Sequence, residues 1–217
     1  RLQFIAGQYI DILLKDGKRR SFSLANAPHD DEFLQLHARN YPGGVFAEHV
    51  FNHMKVKDIL RFEGPLGSFF LRDTPDNTPI IFIASGTGIA PIKSILEHTF
   101  YQESSRACKR AMTLYWGVRT RADLYLADLA KHWQQQHDNF TFVPVLSDPL
   151  PVDLWTGRTG LVHQAVLQDF HTLADYQVYA CGSPVMVKAA YHEFTSERHL
   201  PKDGFFSDVF APSTSNL

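Results

Sequence analysis

Cysteine is scarce in this sequence: Cys108 and Cys181 are its whole supply. Two widely separated thiols build no disulfide framework and hold no iron–sulfur cluster by themselves. A basic surplus is also missing. Lys and Arg number 21 against 23 Asp and Glu, a formal charge of −2, which argues against a protein that grips nucleic acid through its phosphates. No stretch approaches the roughly 20 apolar residues needed to span a bilayer. The opening Arg1-Leu2-Gln3-Phe4 has neither the charged region nor the apolar region of a secretory signal. Disorder is excluded too, because 44% of the 217 residues are hydrophobic and only 20% charged. The expectation is a soluble cytoplasmic protein of one large domain or two modest ones. Nucleophilic and metal chemistry are thin: there is no G-x-S-x-G, and only His49 and His53 share an i, i+4 spacing. With no third ligand nearby in sequence, that pair reads as surface decoration rather than a metal site.

What is present changes character near residue 75. Before it, short runs at residues 8–14, 20–24, 33–38 and 59–62 read as strands, divided by Asp16-Gly17, Asn26-Ala27-Pro28, Pro42-Gly43-Gly44 and Gly64-Pro65. That punctuation predicts an antiparallel meander or barrel, with one helix over 46–54. Residues 75–79 read as a linker. Beyond it strands at 80–84, 112–116, 140–146, 177–180 and 205–210 alternate with helices at 90–102, 124–137, 161–170 and 184–199. The continuous apolar run at 80–84 suits a parallel strand buried on both faces. The fold class expected is therefore a two-domain one. An antiparallel β-barrel over 1–76 precedes an α/β doubly wound parallel sheet over 77–217.

Ligands of a doubly wound sheet lie beyond the carboxyl ends of its strands. Ser85-Gly86-Thr87-Gly88-Ile89-Ala90-Pro91 follows a strand and opens a helix there. Its glycines let backbone N–H groups approach a pyrophosphate, the helix N-terminus adds about half a positive charge, and Pro91 fits the first turn. The run is neither G-x-G-x-x-G nor G-x-x-x-x-G-K-[ST], so a P-loop NTPase is excluded and a dinucleotide site stands beside a plain structural turn. Gly117, before Val118 and Arg119, and Gly182, before Ser183 and Pro184, tip two further strands, so a ligand could pass both backbones. Arg119 and Arg121 could meet a phosphate or lie as solvated charges. Cys181 is either a small buried hydrophobe or a partner for a reactive ring. In the first half, alternation puts Arg20 and Phe22 on one face and Ser21 and Ser23 on the other. A cation beside an aromatic suits a planar, phosphate-bearing ligand, and Pro42-Gly43-Gly44-Val45 offers free amides to an anion. An ordinary barrel strand and glycine turn would read the same.

The ordered set Gly7-Gln8-Tyr9, Arg20-Ser21-Phe22-Ser23, Pro42-Gly43-Gly44, Gly64-Pro65-Leu66-Gly67, Gly86-Thr87-Gly88-Ile89-Ala90-Pro91, Tyr115-Trp116-Gly117-Val118-Arg119 and Cys181-Gly182-Ser183-Pro184 resembles the ferredoxin–NADP reductase superfamily over the whole chain. Within it the chain looks most like bacterial NAD(P)H–flavin reductases and the reductase components of CDP-deoxyhexose pathways and aromatic-ring oxygenases. The resemblance implies hydride transfer from NADH or NADPH to a flavin, FAD or alternatively FMN, with no metal bound directly. By the R-x-[YF]-S motif, Arg20 would neutralise a flavin phosphate, Phe22 pack on the isoalloxazine and Ser23 hydrogen-bond near N5, with Ser21 between them. His37, Ala38 and Arg39 would line the ribityl and phosphate groups, and the amides of Gly43, Gly44 and Val45 would meet the pyrophosphate. Gly86, Thr87, Gly88 and Pro91 would cradle the dinucleotide pyrophosphate, and Gly117, Val118 and Arg119 its adenosine half. Cys181, Gly182, Ser183 and Pro184 would lie beside the nicotinamide, with Asp208 as an acid and Phe210 as an aromatic by the flavin ring.

Two departures bear on that reading. Phe46 and Ala47 stand where the family usually carries a Ser or Thr phosphate ligand, which points to a weaker or exchangeable flavin. The family's barrel also begins with a strand upstream of Gly7-Gln8-Tyr9, so the chain is expected to be the trimmed part of a longer reductase. Three functions follow as expectations. The first is a reductase passing electrons singly to an iron–sulfur protein or an upstream iron–sulfur domain, which Gly64-Pro65-Leu66-Gly67 favours. The second is a reductase of free flavin, and the third a non-catalytic flavin- or nucleotide-binding subunit. None involves a nucleic acid or a membrane.

Overall fold

Residues of alternating burial at Tyr9–Leu13 form strand β1, with Ile10 and Ile12 turned inward. The computed structural model describes residues 1–14, 17–40, 45–74, 77–102 and 106–210, arranged as two compact units. The first unit holds Arg1–Leu71 together with Ala90–His98; the second holds Arg72–Ile89 and Thr99–Phe210.

In the first unit β1 pairs antiparallel with β2 (Arg19–Ser23) and β3 (Arg61–Leu66), giving the order β2-β1-β3. Ile10 stands opposite Phe22, Ile12 opposite Arg20, and Tyr9 opposite Ser23. Phe4, Ile10 and Leu24 form the small core, flanked by Leu2, Leu34 and Leu36. Where the sequence predicts a barrel, the described strands make this three-stranded antiparallel sheet, extended by one bridge between Leu24 and Leu36. That bridge is all that forms of the strand expected at 33–38. The reason is a side chain: Asn26 Oδ1 accepts the Gln35 N–H at 2.9 Å, replacing a ladder partner. The helix expected at 46–54 is split into α1 (Val45–Glu48) and a π-helical turn, His49–His53, closed by the Met54 N–H on the His49 carbonyl. His53 Nε2 lies 3.6 Å from Glu48 Oε1, and no group of three metal-binding side chains exists among the described residues.

In the second unit all neighbouring strands are parallel, in the order β7-β6-β5-β4-β8-β9. They are β4 (Ile80–Ser85), β5 (Met112–Val118), β6 (Phe140–Leu146), the short β7 (Arg158–Thr159), β8 (Gln177–Gly182) and β9 (Phe205–Val209). The helices between are α2 (Ile89–Tyr101), α3 (Arg106–Lys109), α4 (Ala127–Gln136), α5 (Val162–Asp169) and α6 (Pro184–Glu197). Helix α2 starts in the second unit, and its Ala90–His98 stretch groups with the first. Residues 80–84 and 177–182 are buried throughout, as strands covered on both faces must be. Ile81, Ile83, Val178 and Ala180 pack against Val166 of α5 and Ala190 and Phe194 of α6. Alternation turns Phe82 and Phe140 to the other face, where Trp133 of α4 and Phe100 of α2 meet Phe140. The sheet order reverses at β4, with β5, β6 and β7 on one side and β8 and β9 on the other. Such a reversal opens a crevice at the carboxyl ends of the strands. No helix among the described residues is long and apolar enough to cross a membrane.

Candidate flavin and dinucleotide sites

The crevice of the second unit is built by unusually close backbones. Ala84 of β4 is in register with Cys181 of β8, and the Gly86–Gly88 turn leaves β4 directly into α2. A Cβ on Gly88 would fall 2.2 Å from the Cys181 carbonyl oxygen, so only glycine lets the turn rest on β8. Ser85 Oγ accepts the Ser183 N–H at 2.9 Å, and the Trp116 indole N–H donates to the Gly86 carbonyl at 2.9 Å. The turn is thus held from both neighbouring strands while its amides face the start of a 13-residue helix. These residues fit a dinucleotide pyrophosphate. Pro91 lies in the first turns of α2, and Ser183 caps α6 by accepting the Met186 N–H, with Pro184 at its first position.

Gly117 is glycine for another reason. Val162 of α5 occupies the place of its missing side chain, at 2.6 Å, so helix packing rather than room for a ligand requires it. Val118 is buried, and Arg119 is exposed at the rim with its Nη2 3.0 Å from Asp148 Oδ2. Cys181 is 0% exposed; burial, reinforced by Asp208 beside it on β9, pushes its thiol well up, so it is neutral. The Phe210 N–H donates to the Gly182 carbonyl at 2.8 Å, which brings Phe210, Asp208, Cys181 and Gly182 to one corner.

In the first unit Arg20 and Phe22 lie half-buried on one face of β2, and Phe22 packs at 5.0 Å against Phe46. Ser21 is exposed on the other face and donates to Asp11 Oδ1 at 2.6 Å, while Ser23 is buried. A cation and a half-buried aromatic side by side, with buried Ser23 next in line, fit a flavin ring and its phosphate. His37 and Ala38 are half-buried and Arg39 exposed. Gly43 and Gly44 lie outside the described residues; Val45 opens α1.

The sequence did not reveal Lys93, an ammonium buried on α2. Its Nζ donates to the Ala25 carbonyl and Gln35 Oε1 at 3.1 Å each and to Glu97 Oε2 at 2.7 Å. Ser94 Oγ donates to the Asn26 carbonyl at 2.7 Å. Together they pin the segment that follows Ser23. Two adjacent polar residues inside an otherwise apolar helical run were the available signal.

Burial, with Lys93 second, lowers the His37 pKa from 6.5 to about 4, so the imidazole is neutral at pH 7. The unfolded chain then binds more protons between about pH 6.5 and 4. Stability is full above that window and falls as pH drops through it, by on the order of 1–2 kcal/mol after discounting for solvent. Urea midpoints at pH 7 and pH 4.5 should therefore fall further for the wild type than for His37→Gln. Equal falls would show that His37 is not the group responsible.

Residues 82–192 match the family described as the oxidoreductase NAD-binding domain, and residues 1–71 match the oxidoreductase FAD-binding domain. The chain belongs to the ferredoxin reductase-like flavoprotein oxidoreductases. It is 44% identical over 213 residues to the CDP-6-deoxy-L-threo-D-glycero-4-hexulose-3-dehydrase reductase of Yersinia pestis, covering 98% of this chain and 61% of that protein. It is 35% identical over 215 residues to the NAD(P)H-flavin reductase of Aliivibrio fischeri, covering 96% and 87%. The crystal structure of the Amycolatopsis cytochrome P450 reductase GcoB superposes with a TM-score of 0.88 at 34% identity, over 98% of this chain and 63% of that one. The chain thus spans less than two thirds of the Yersinia protein's length.

Proposed function

We propose that this chain is the flavin- and nicotinamide-binding part of an NAD(P)H oxidoreductase that delivers electrons singly to an iron–sulfur centre, on a partner protein or another domain. Residues 1–76 hold the flavin and residues 77–217 the dinucleotide, in the cytoplasm. The observation that carries the reading is the crevice at the sheet reversal, where a glycine turn between β4 and α2 rests on the end of β8. A flavin bound there would supply the redox chemistry, a two-electron hydride acceptor able to pass electrons on singly.

The chain's own residues bind and orient. Arg20 neutralises the flavin phosphate and Phe22 covers the ring. Ser23, buried, offers a hydroxyl toward the ring edge. The Gly86, Thr87 and Gly88 amides take the dinucleotide pyrophosphate. Cys181, neutral and fully buried, supports the nicotinamide end of the site from within the sheet rather than acting as a nucleophile, with Asp208 beside it on β9. Phe210 supplies an aromatic side chain just after β9, its N–H on the Gly182 carbonyl.

A second reading, the reduction of free flavin, is favoured by Phe46 and Ala47 in place of hydroxyl ligands and by the likeness to the Aliivibrio enzyme. The purified chain decides between them. Retained yellow colour, bleached at about 450 nm by NADH or NADPH and reoxidised by a one-electron dye, is the result expected. A colourless protein active only with added riboflavin selects the second reading. No bleaching of bound flavin would leave a binding subunit and sink both. Cys181→Ala should slow the bleaching at least tenfold with the flavin still bound.

A further inference from the structure

Trp116 is the largest fully buried side chain among the described residues, and it stands near the end of β5, beside the glycine turn. It is in register with Ala84 of β4, so the two side chains rise on one face of the sheet. Ala84 is small, and across it the indole N–H reaches the Gly86 carbonyl at 2.9 Å. A phenylalanine or leucine would fill a strand interior as well; an indole brings a donor that must find a partner. Tyr125 holds the indole in place, its ring meeting it edge-on at 5.3 Å. The Gly86 carbonyl already accepts the Ile89 N–H, the ordinary bond of the turn. Both of its lone pairs are therefore in use, one within the turn and one for a side chain of the next strand.

We propose that Trp116 is a positioning residue for the dinucleotide: through the Gly86 carbonyl it aims and strengthens the Thr87 N–H that takes the pyrophosphate. The proposal rests on the reading above that this turn holds a nicotinamide dinucleotide. The Gly86 carbonyl and the Thr87 N–H belong to one planar trans peptide, so they point in opposite directions. A donor fixed on the carbonyl therefore fixes the amide as well, facing away from the indole. Gly86, at φ +55°, has no side chain to hold this plane, so its orientation falls to the hydrogen bonds. The Thr87 N–H is among the first amides of the helical run into α2, which have no carbonyl ahead of them to bind, and it is left for an anion. Polarisation adds to aim: a bond accepted at the carbonyl draws charge through the amide and makes its N–H a stronger donor.

The test is calorimetric titration of the full chain with ADP-ribose, which is the dinucleotide without its nicotinamide. Trp116→Phe keeps a buried ring and removes the donor, and its Kd for ADP-ribose should rise about fivefold. Competitive inhibition by adenosine, which carries no phosphate, should stay unchanged. In steady-state kinetics the NADH KM should rise by about the same factor, with kcat within about twofold of the parent. Replacing Trp116 by benzothienylalanine puts sulfur in place of the N–H and keeps the shape of the indole. It should reproduce the loss even where phenylalanine unsettles the fold. Unchanged ADP-ribose affinity in the benzothienyl variant overturns the proposal. So does an equal weakening of adenosine, which marks a general loss of the crevice. In both cases the wild type still binds ADP-ribose and the underlying reading stands; a wild type that binds neither ADP-ribose nor NADH overturns both.

Discussion

Gly182→Ala is expected to cut the rate of NAD(P)H-dependent flavin reduction about a hundredfold, a larger loss than any side-chain truncation at the site. Gly182 ends β8 with φ at +139°, a conformation L side chains rarely adopt. A Cβ there would stand 2.1 Å from Ser85 Oγ, 2.8 Å from the Ser85 carbonyl oxygen and 3.0 Å from the Ser85 nitrogen. The hydroxyl can rotate away; the backbone cannot. The ends of β4 and β8 must then part, and with them go the Ser183 N–H bond to Ser85 and the seat of the Gly86–Gly88 turn on β8. A displacement of about 1 Å at groups that position reactants is enough for a loss of this size. Adding Ser85→Gly should restore little, because the backbone collision remains. Stopped-flow reduction at saturating NADH, paired with a thermal melt, separates this effect from global unfolding. A variant that reduces its flavin at near the parent rate would refute the role given to the β4–β8 contact.

That contact was half visible in the sequence. Glycines at 86, 88 and 182 after apolar runs marked strand ends, and the run at 80–84 declared a strand buried on both faces. The register that sets Ala84 beside Cys181 joins residues almost a hundred positions apart, which no local pattern records. The contacts of Asp148 and Asp153 were invisible for the same reason: they meet Arg119 and Arg121 only because β6 brings its loop beside the end of β5. Where local signals misled, a side chain or a change of helical period had intervened. Residues 33–38 alternate like a strand, yet Asn26 takes the Gln35 N–H. Residues 46–54 have helical spacing, but their second half winds as a π turn. In β2, where burial follows the two-residue repeat from Arg19 to Phe22, Arg20 and Phe22 fell on the face expected of them.

Arg110→Met is expected to destabilise the second unit by about 3–5 kcal/mol while leaving the NADH KM of the folded fraction unchanged. Arg110 is only 2% exposed, and burial lowers its pKa, with Tyr179 and Asp73 working the other way. A guanidinium nonetheless stays charged in such a place. All three nitrogens of its fork are engaged: Nε donates to the Thr78 carbonyl, Nη1 to the Arg72 carbonyl at 3.2 Å, and Nη2 to Gln177 Oε1 at 2.6 Å. The Tyr179 hydroxyl donates to the same Gln177 oxygen at 3.3 Å and accepts the Arg72 N–H at 2.8 Å. Arg72 in turn lies over the Phe206 ring, which stacks on Tyr179. One side chain thus fastens the segment leading into β4 to the first residue of β8, at the opposite end of the sheet from the crevice. Methionine fills much of the volume but leaves one buried and two part-buried acceptors without this donor, and a buried one costs about 1–3 kcal/mol. Lysine should rescue poorly, since a single ammonium cannot reproduce the fork. Chemical denaturation measures the first claim and dinucleotide titration the second. A stability loss below about 1 kcal/mol would mean that the neighbouring acceptors find other donors. At the crevice end, by contrast, the Arg119–Asp148 pair stays more than half exposed and adds little stability, so the sheet is secured from the Arg110 end.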